Sequence, residues 1–142
     1  MLENNKKIVL NFIAAMGAGD RDSAATCLTP DAITIAKGYG NFSGVREYDT
    51  IVTTIAAFTQ LFPTGLNPEI KSVTAEGERV IVEFEGRGRT CDNKDYHNQY
   101  CMAFNLADGK IKQVNEYFCT KLADEVLWPL INQTPSTSSA NE

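Results

Sequence analysis

The spacing of apolar side chains changes period along the chain, and the changes mark its elements. From about Glu3 to Ala18, Ile8, Phe12, Ala15 and Met16 fall on one stripe with Val9 and Ile13 beside it, the 3.6-residue spacing of an amphipathic helix. Gly17 and Gly19 end it, and Asp20 is placed to cap a shorter helix reaching Cys27. Pro30 closes that second helix, because the residue before a proline is pushed toward extended backbone. Ala32 to Lys37 then reads as a short strand. The segment Gly38-Tyr-Gly-Asn-Phe-Ser-Gly44 is a glycine-rich loop without phosphate-binding spacing; it serves as plain connection, or its Tyr39 and Phe42 roof a cavity. A third helix is predicted from about Val45 to Phe62, where Ile51, Ile55, Phe58 and Phe62 form one stripe, and Pro63 and Gly65 stop it.

Beyond Gly65 the period falls to two. Glu69 to Ala75 and Arg79 to Arg89 read as strands around a turn at Gly77, with Val80, Val82 and Phe84 alternating with Ile81, Glu83 and Glu85. After the polar loop Thr90 to Lys94, Tyr96 to Thr120 reads as a hairpin. Asp108-Gly109 signals its turn, because both central residues of a type I′ turn need positive φ. With Ala107 opposite Lys110, counting back pairs Tyr100 with Tyr117 and Asn98 with Cys119. One face then carries Tyr96, Asn98, Tyr100 and Met102 beside Gln113, Asn115, Tyr117 and Cys119. The other carries His97, Gln99 and Cys101 beside Val114, Glu116 and Phe118. Rings interleaved with amides and hydroxyls suit the wall of a small-molecule cavity, so the first face is expected to line one. A short helix from about Lys121 to Trp128, ended by Pro129, completes residues 1–130, and 131–142 form a polar tail.

Helices followed by antiparallel strands predict one α+β domain, with three helices on the concave face of a curved, mixed sheet. Such a sheet twists into a cone whose mouth is a pocket. Composition narrows the function. With 142 residues, the chain has a net charge of -5 and no Lys/Arg cluster, which argues against nucleic acid. No apolar run reaches bilayer length, and the start lacks the pattern of a secretory leader, so a cytoplasmic protein with reduced thiols is expected. Cys27, Cys91, Cys101 and Cys119 have no metal-ligand spacing, and His97 is the only histidine; a zinc centre is not expected.

The segment FIAAMGAGDRDSAATCLTPDAI, the helix between Ser43-Gly44 and Phe62-Pro63, and the motifs Tyr96-x-Asn98-x-Tyr100, Asp108-Gly-Lys-Ile111 and Glu116-Tyr-Phe resemble the SnoaL-like polyketide cyclase and ketosteroid isomerase group of the nuclear transport factor two-like superfamily. The resemblance runs from roughly Glu3 to Leu127. It implies a cone-shaped fold, a homodimer formed through the sheet, an apolar cavity, and no metal or organic cofactor. It also locates what is missing. Phe12 stands where the isomerases place an oxyanion-binding tyrosine, and Ala36 about where they place a general-base aspartate. No carboxylate lies between Asp95 and Asp108 to act as the second oxyanion donor. Cys119 stands where the cyclases and limonene-type epoxide hydrolases carry an aspartate; the hydrolases' further Arg and Asp would fall near Phe84 and Gly86.

The expected site therefore uses other residues. Tyr100 and Tyr117 are candidate hydroxyl donors, Asn98 and Asn115 orienting amides, and Phe12, Tyr39 and Met102 apolar lining. The alternative for the tyrosines and amides is a hydrogen-bond network within the core. Glu83, Glu116 and His97 are candidate proton carriers, since a carboxyl in an apolar pocket gains proton affinity. Against that, the glutamates can face solvent, and alternation puts His97 and Glu116 opposite Asn98 and Tyr100 unless a bulge intervenes. Cys119 is a buried thiol or, less simply, a nucleophile. Two functions fit: a cofactor-free enzyme isomerising, cyclising or dehydrating an apolar oxygenated small molecule, or a ligand-binding protein that has lost its acids. A third is an association module working through the outer sheet face.

Overall fold

The computed structural model describes residues 2–131. The elements are α1 (Leu2–Ala18), α2 (Arg21–Thr26), β1 (Leu28–Ala36), β2 (Gly44–Glu47), α3 (Tyr48–Leu61), β3 (Asn67–Glu76), β4 (Arg79–Arg89), β5 (Asp95–Ala107), β6 (Lys110–Phe118), α4 (Thr120–Val126) and α5 (Trp128–Ile131). The six strands form one sheet in the order β2-β1-β6-β5-β4-β3. The β1–β6 pair is parallel and the other neighbours are antiparallel. This is the expected curved α+β architecture. Val9, Phe12 and Met16 of α1 pack with Val80, Val82 and Phe104 of the sheet, and Phe12 meets Phe104 edge-on at 6.1 Å.

Several boundaries differ from the sequence expectation. Asp20 does cap α2, accepting the Ser23 amide at 3.1 Å. Strand β1 starts at Leu28 and contains Pro30, and its ladder to β6 breaks between Leu28 and Ile33, as a residue without an amide hydrogen requires. Residues 45–47, expected to open the third helix, instead join Gly44 in the edge strand β2 on β1. Pro129 lies in the first turn of α5, where its missing donor is not needed, so it starts a turn rather than ending one. Of the expected tail, only Ile131 falls within the described residues. No described helix is long and apolar enough to cross a membrane.

The consequential difference is in the hairpin. Its turn is as expected, with φ of 51° at Asp108 and 77° at Gly109. Ala107 pairs with Lys110 and Leu106 with Ile111, but Asn105 then pairs with Gln113. Lys112 is thus an extra residue, a β-bulge. Every later pair shifts by one: Tyr100 faces Phe118, Cys101 faces Tyr117 and Met102 faces Glu116. The cause lies in two apolar residues. Ile111 and Val114 are both 0% exposed, yet three residues apart they would point to opposite faces of a regular strand. The bulge lets both reach the core. It also turns Glu116 and Phe118 inward and Asn115 and Tyr117 outward.

At the far end of β4, Gly88 lets the chain after α3 lie on the sheet. A Cβ there would stand 2.7 Å from the Gly65 carbonyl oxygen and 2.9 Å from the Phe62 ring. That closure seals one end of the space beneath the helices.

Candidate functional site

Between the helices and the inner sheet face lies a cavity of about 150 Å³. Its walls are mostly apolar: Phe12 and Met16 from α1, Ile55 and Phe58 from α3, Met102 from β5. Phe42 closes one side, edge-on to Trp128 at 5.3 Å. Its loop is tied to α4, because the Asn41 amide donates to both Asp124 carboxylate oxygens at 3.0 and 3.3 Å. Phe42 thus takes the roofing role, whereas Tyr39, at 104% exposure, projects away from the fold. Phe12 and Ala36 both line the cavity, so the two positions singled out by resemblance are in place but carry no polar group.

The polar groups reach the cavity from the strands. Tyr100 stacks on Phe84 with ring centroids 4.9 Å apart and planes within 6°. Its hydroxyl is 3.0 Å from that of Tyr96. Asn98, 1% exposed, donates to the Tyr96 hydroxyl at 2.7 Å and to the Cys119 carbonyl at 3.1 Å, while its own carbonyl accepts the Cys119 amide at 3.1 Å. Asn98 is therefore a staple between β5 and the end of β6, one layer behind the cavity. With Asn98 donating to Tyr96, Tyr96 can donate to Tyr100, and the Tyr100 proton is left for the cavity. Burial, reinforced by the Tyr96 hydroxyl, pushes the Tyr100 phenol well above its ordinary range, so it acts as a donor.

Glu116 also lines the cavity and makes no side-chain hydrogen bond or ion pair among the described residues. The residue as a whole is half-buried. Burial raises its pKa from 4.5 to about 7, and the charge of Arg46 opposes the rise. It pairs across the ladder with Ala36 on one side and Met102 on the other. A carboxyl sits, in effect, one strand away from where resemblance placed a missing base. Such a group at neutral pH is present in both protonation states and can accept or give a proton.

The other candidates lie elsewhere. Tyr117 is 47% exposed on the outer face, and Asn115 bonds to Gln113 at 3.1 Å beside it; the bulge at Lys112 is the reason. Glu83 is exposed and accepts from Ser72 at 3.1 Å. His97 is on the outer face, as alternation required. Arg87 donates to its Nδ1 at 3.0 Å, leaving Nε2–H for Glu85 at 2.7 Å. Cys119 is exposed, not buried, because it is the cap residue of α4. Of the expected site residues, Tyr100, Glu116, Met102 and Phe12 meet at the cavity. Sequence reasoning missed Arg46, Thr34 and Thr54; Tyr96, expected on the cavity-lining face, lies on it and supports Tyr100. For Glu116, which strict alternation put on the other face, the available signal was the Ile111-x-x-Val114 spacing, which already contradicts that alternation.

The architecture is shared with solved structures of nuclear transport factor two-like proteins. One from Burkholderia xenovorans LB400 is 22% identical, with 89% of this chain and 97% of that one aligned and a TM-score of 0.70. A provisionally named SnoaL-like polyketide cyclase from Jannaschia sp. CCS1 is 21% identical over 92% of this chain and 90% of that one, with a TM-score of 0.70. TerC, crystallised with polyporic acid, is 17% identical over 87% and 97%, with a TM-score of 0.73. These likenesses establish the fold. The SnoaL-like domain family model matches residues 9–114, and the chain belongs to that family. No curated protein matches the chain in sequence.

Proposed function

We propose that the protein is a small cofactor-independent enzyme that moves a proton on an apolar, oxygenated molecule held in this cavity. The observation that carries the reading is Glu116: an unpaired carboxyl with a pKa of about 7, facing an apolar chamber beside the Tyr100 hydroxyl. An isomerisation illustrates the chemistry. The ionised Glu116 takes a proton from carbon next to a carbonyl, the C–H pair moves to the carbonyl oxygen, and the Tyr100 O–H stabilises the resulting enolate. Glu116 returns the same proton to another carbon, so no co-reactant is consumed. Cyclisation and dehydration draw on the same two groups. One neighbour, at 21% identity, carries the name of a SnoaL-like polyketide cyclase, which supports the reaction class by analogy of fold alone.

The rival is a binding protein without turnover. Phe12 and Ala36 favour it, because they leave the cavity poorer in polar groups than the resemblance implied. Turnover on a panel of unsaturated ketones, epoxides and polyketide-like esters, each with and without a carboxylate, separates the two. Glu116→Gln is expected to lower kcat by 10²–10⁴-fold, the usual contribution of a positioned acid or base, with the fold intact. Unchanged rates in Glu116→Gln would remove Glu116 from the mechanism. Ligand binding without turnover in the wild type would favour the rival.

We also propose a cytoplasmic homodimer through the outer sheet face. Tyr117 is exposed there, and Ile33, Ile35 and Ile81 keep partly open apolar surface beside it.

A further inference from the structure

We infer that Arg46 is the anchor for a carboxylate on the ligand, so the substrate class is apolar carboxylic acids rather than neutral ketones. The inference rests on the cavity reading above and deepens it. Arg46 lines the cavity from edge strand β2 and is half-buried. A single hydrogen bond, from Nη2 to the Phe42 carbonyl at 2.9 Å, holds its guanidinium against the loop that closes the cavity. Among the described residues it forms no ion pair. A guanidinium offers five donors in a planar fork that fits a carboxylate through two parallel bonds. Here most of that fork has no partner, in a space whose walls are mostly apolar.

The sheet register sets where such a ligand would lie. Arg46 pairs with Thr34 and Glu116 pairs with Ala36, so the two charged residues flank β1 on its inner face. Two strand spacings across and two residues along β1 separate their backbones, about 12 Å. Thr34 and Thr54 also line the cavity and add hydroxyl-bearing side chains to its wall. A carboxylate held by Arg46 would place carbons a few bonds away near Glu116 and the Tyr100 hydroxyl. The groups facing Glu116 that bear on its charge are Arg46 from β2 and Tyr96 and Tyr100 from β5; α1, α3 and α4 present only uncharged side chains to the cavity. Neutralising Arg46 with a ligand anion therefore favours protonated Glu116, and affinity for an acid should fall as pH rises through about 7.

Calorimetry with matched probes tests this: trans-cinnamate against cinnamyl alcohol, and 2-naphthoate against 2-naphthalenemethanol, at pH 6. The wild type is expected to bind each acid at least about tenfold tighter than its alcohol. Arg46→Gln should erase that preference while leaving alcohol affinity within about twofold, and Arg46→Lys should keep part of it. Above pH 7 the preference should shrink in the wild type and persist in Glu116→Gln. Alcohols bound as tightly as acids, or a preference unchanged in Arg46→Gln, would overturn the anchor and leave the cavity reading standing. Failure of both members of each pair to bind would overturn the two together. Should Arg46→Gln not fold, the wild-type ratio and Arg46→Lys decide the matter.

Discussion

Glu116 and Glu85 lie on opposite faces of the same sheet, and their carboxyls have been moved in opposite directions. Glu85 is on the solvent side, where hydrogen bonds from His97 and then Gln99 hold its pKa below 4.5. Glu116 is on the helix side, where burial lifts its pKa to about 7 and only Arg46 opposes. The difference shows that a titratable group becomes useful here by losing partners, not by gaining them. A carboxylate satisfied by neighbours is a structural hydrogen-bond acceptor; one deprived of them in an apolar chamber is a proton carrier. The face a residue occupies decides between these roles, and that face is set by one bulge.

Two asparagines give the largest expected contrast between the faces. Asn98 makes four side-chain bonds from a fully buried position, three of which tie β5 to the end of β6 and polarise the tyrosine chain. Asn115, expected from sequence to stand beside it, is on the outer face with one partner, Gln113. Asn98→Ala strands buried partners and should cost about 3–4 kcal/mol in urea unfolding. Asn115→Ala should stay within about 0.5 kcal/mol of wild type. Equal effects would mean that the two residues share a face after all, and the bulge at Lys112 would be misplaced.

This contrast also shows what the sequence could and could not reveal. The helices, strand β4 and the Asp108-Gly109 turn were legible because each rests on local periodicity or local φ preference. The β5 alternation held without interruption, so Tyr100, Met102 and the outward His97 were placed correctly. Beyond the bulge, β6 was read on the wrong face. Local counting cannot see an extra residue that exists because Ile111 and Val114 both need the core. Arg46 was missed for a related reason: β2 is a four-residue edge strand whose pairing with β1 is a tertiary fact, while its sequence merges into the following helix.

The next contrast concerns stability against pH. The folded pKa of Glu116 lies above its ordinary 4.5, so the native state binds more protons than the unfolded state between 4.5 and about 7. The protonated form is the one the fold prefers. Its advantage is complete below 4.5 and is lost as pH rises through about 7, a change of up to about 3 kcal/mol for a shift of this size. Glu116→Gln, a permanently neutral replacement, should therefore raise Tm at pH 8 and leave it nearly unchanged at pH 4. A variant that is more stable yet inactive would identify the carboxyl as a group kept for chemistry at the expense of stability. Parallel melting curves for wild type and variant, from pH 4 to pH 8, would instead place the carboxyl in contact with bulk water.

The smallest expected effect is the matching change on the solvent side. Glu85→Gln removes a carboxylate whose pKa is depressed by His97 and Gln99, so the stability it contributes is present above its ordinary 4.5 and disappears as pH falls through the depressed value. The carboxylate lies on the solvent side and is screened, so the loss should be confined to a slight change in the acid limb of the melting profile. No cavity residue touches it, and kcat/KM on any substrate found for the wild type should remain within about twofold. If Glu85→Gln reduced turnover as strongly as Glu116→Gln, proton transfer would depend on the outer face. The chemistry would then belong to the exposed Glu85–His97 pair, and the cavity would serve only to hold the ligand.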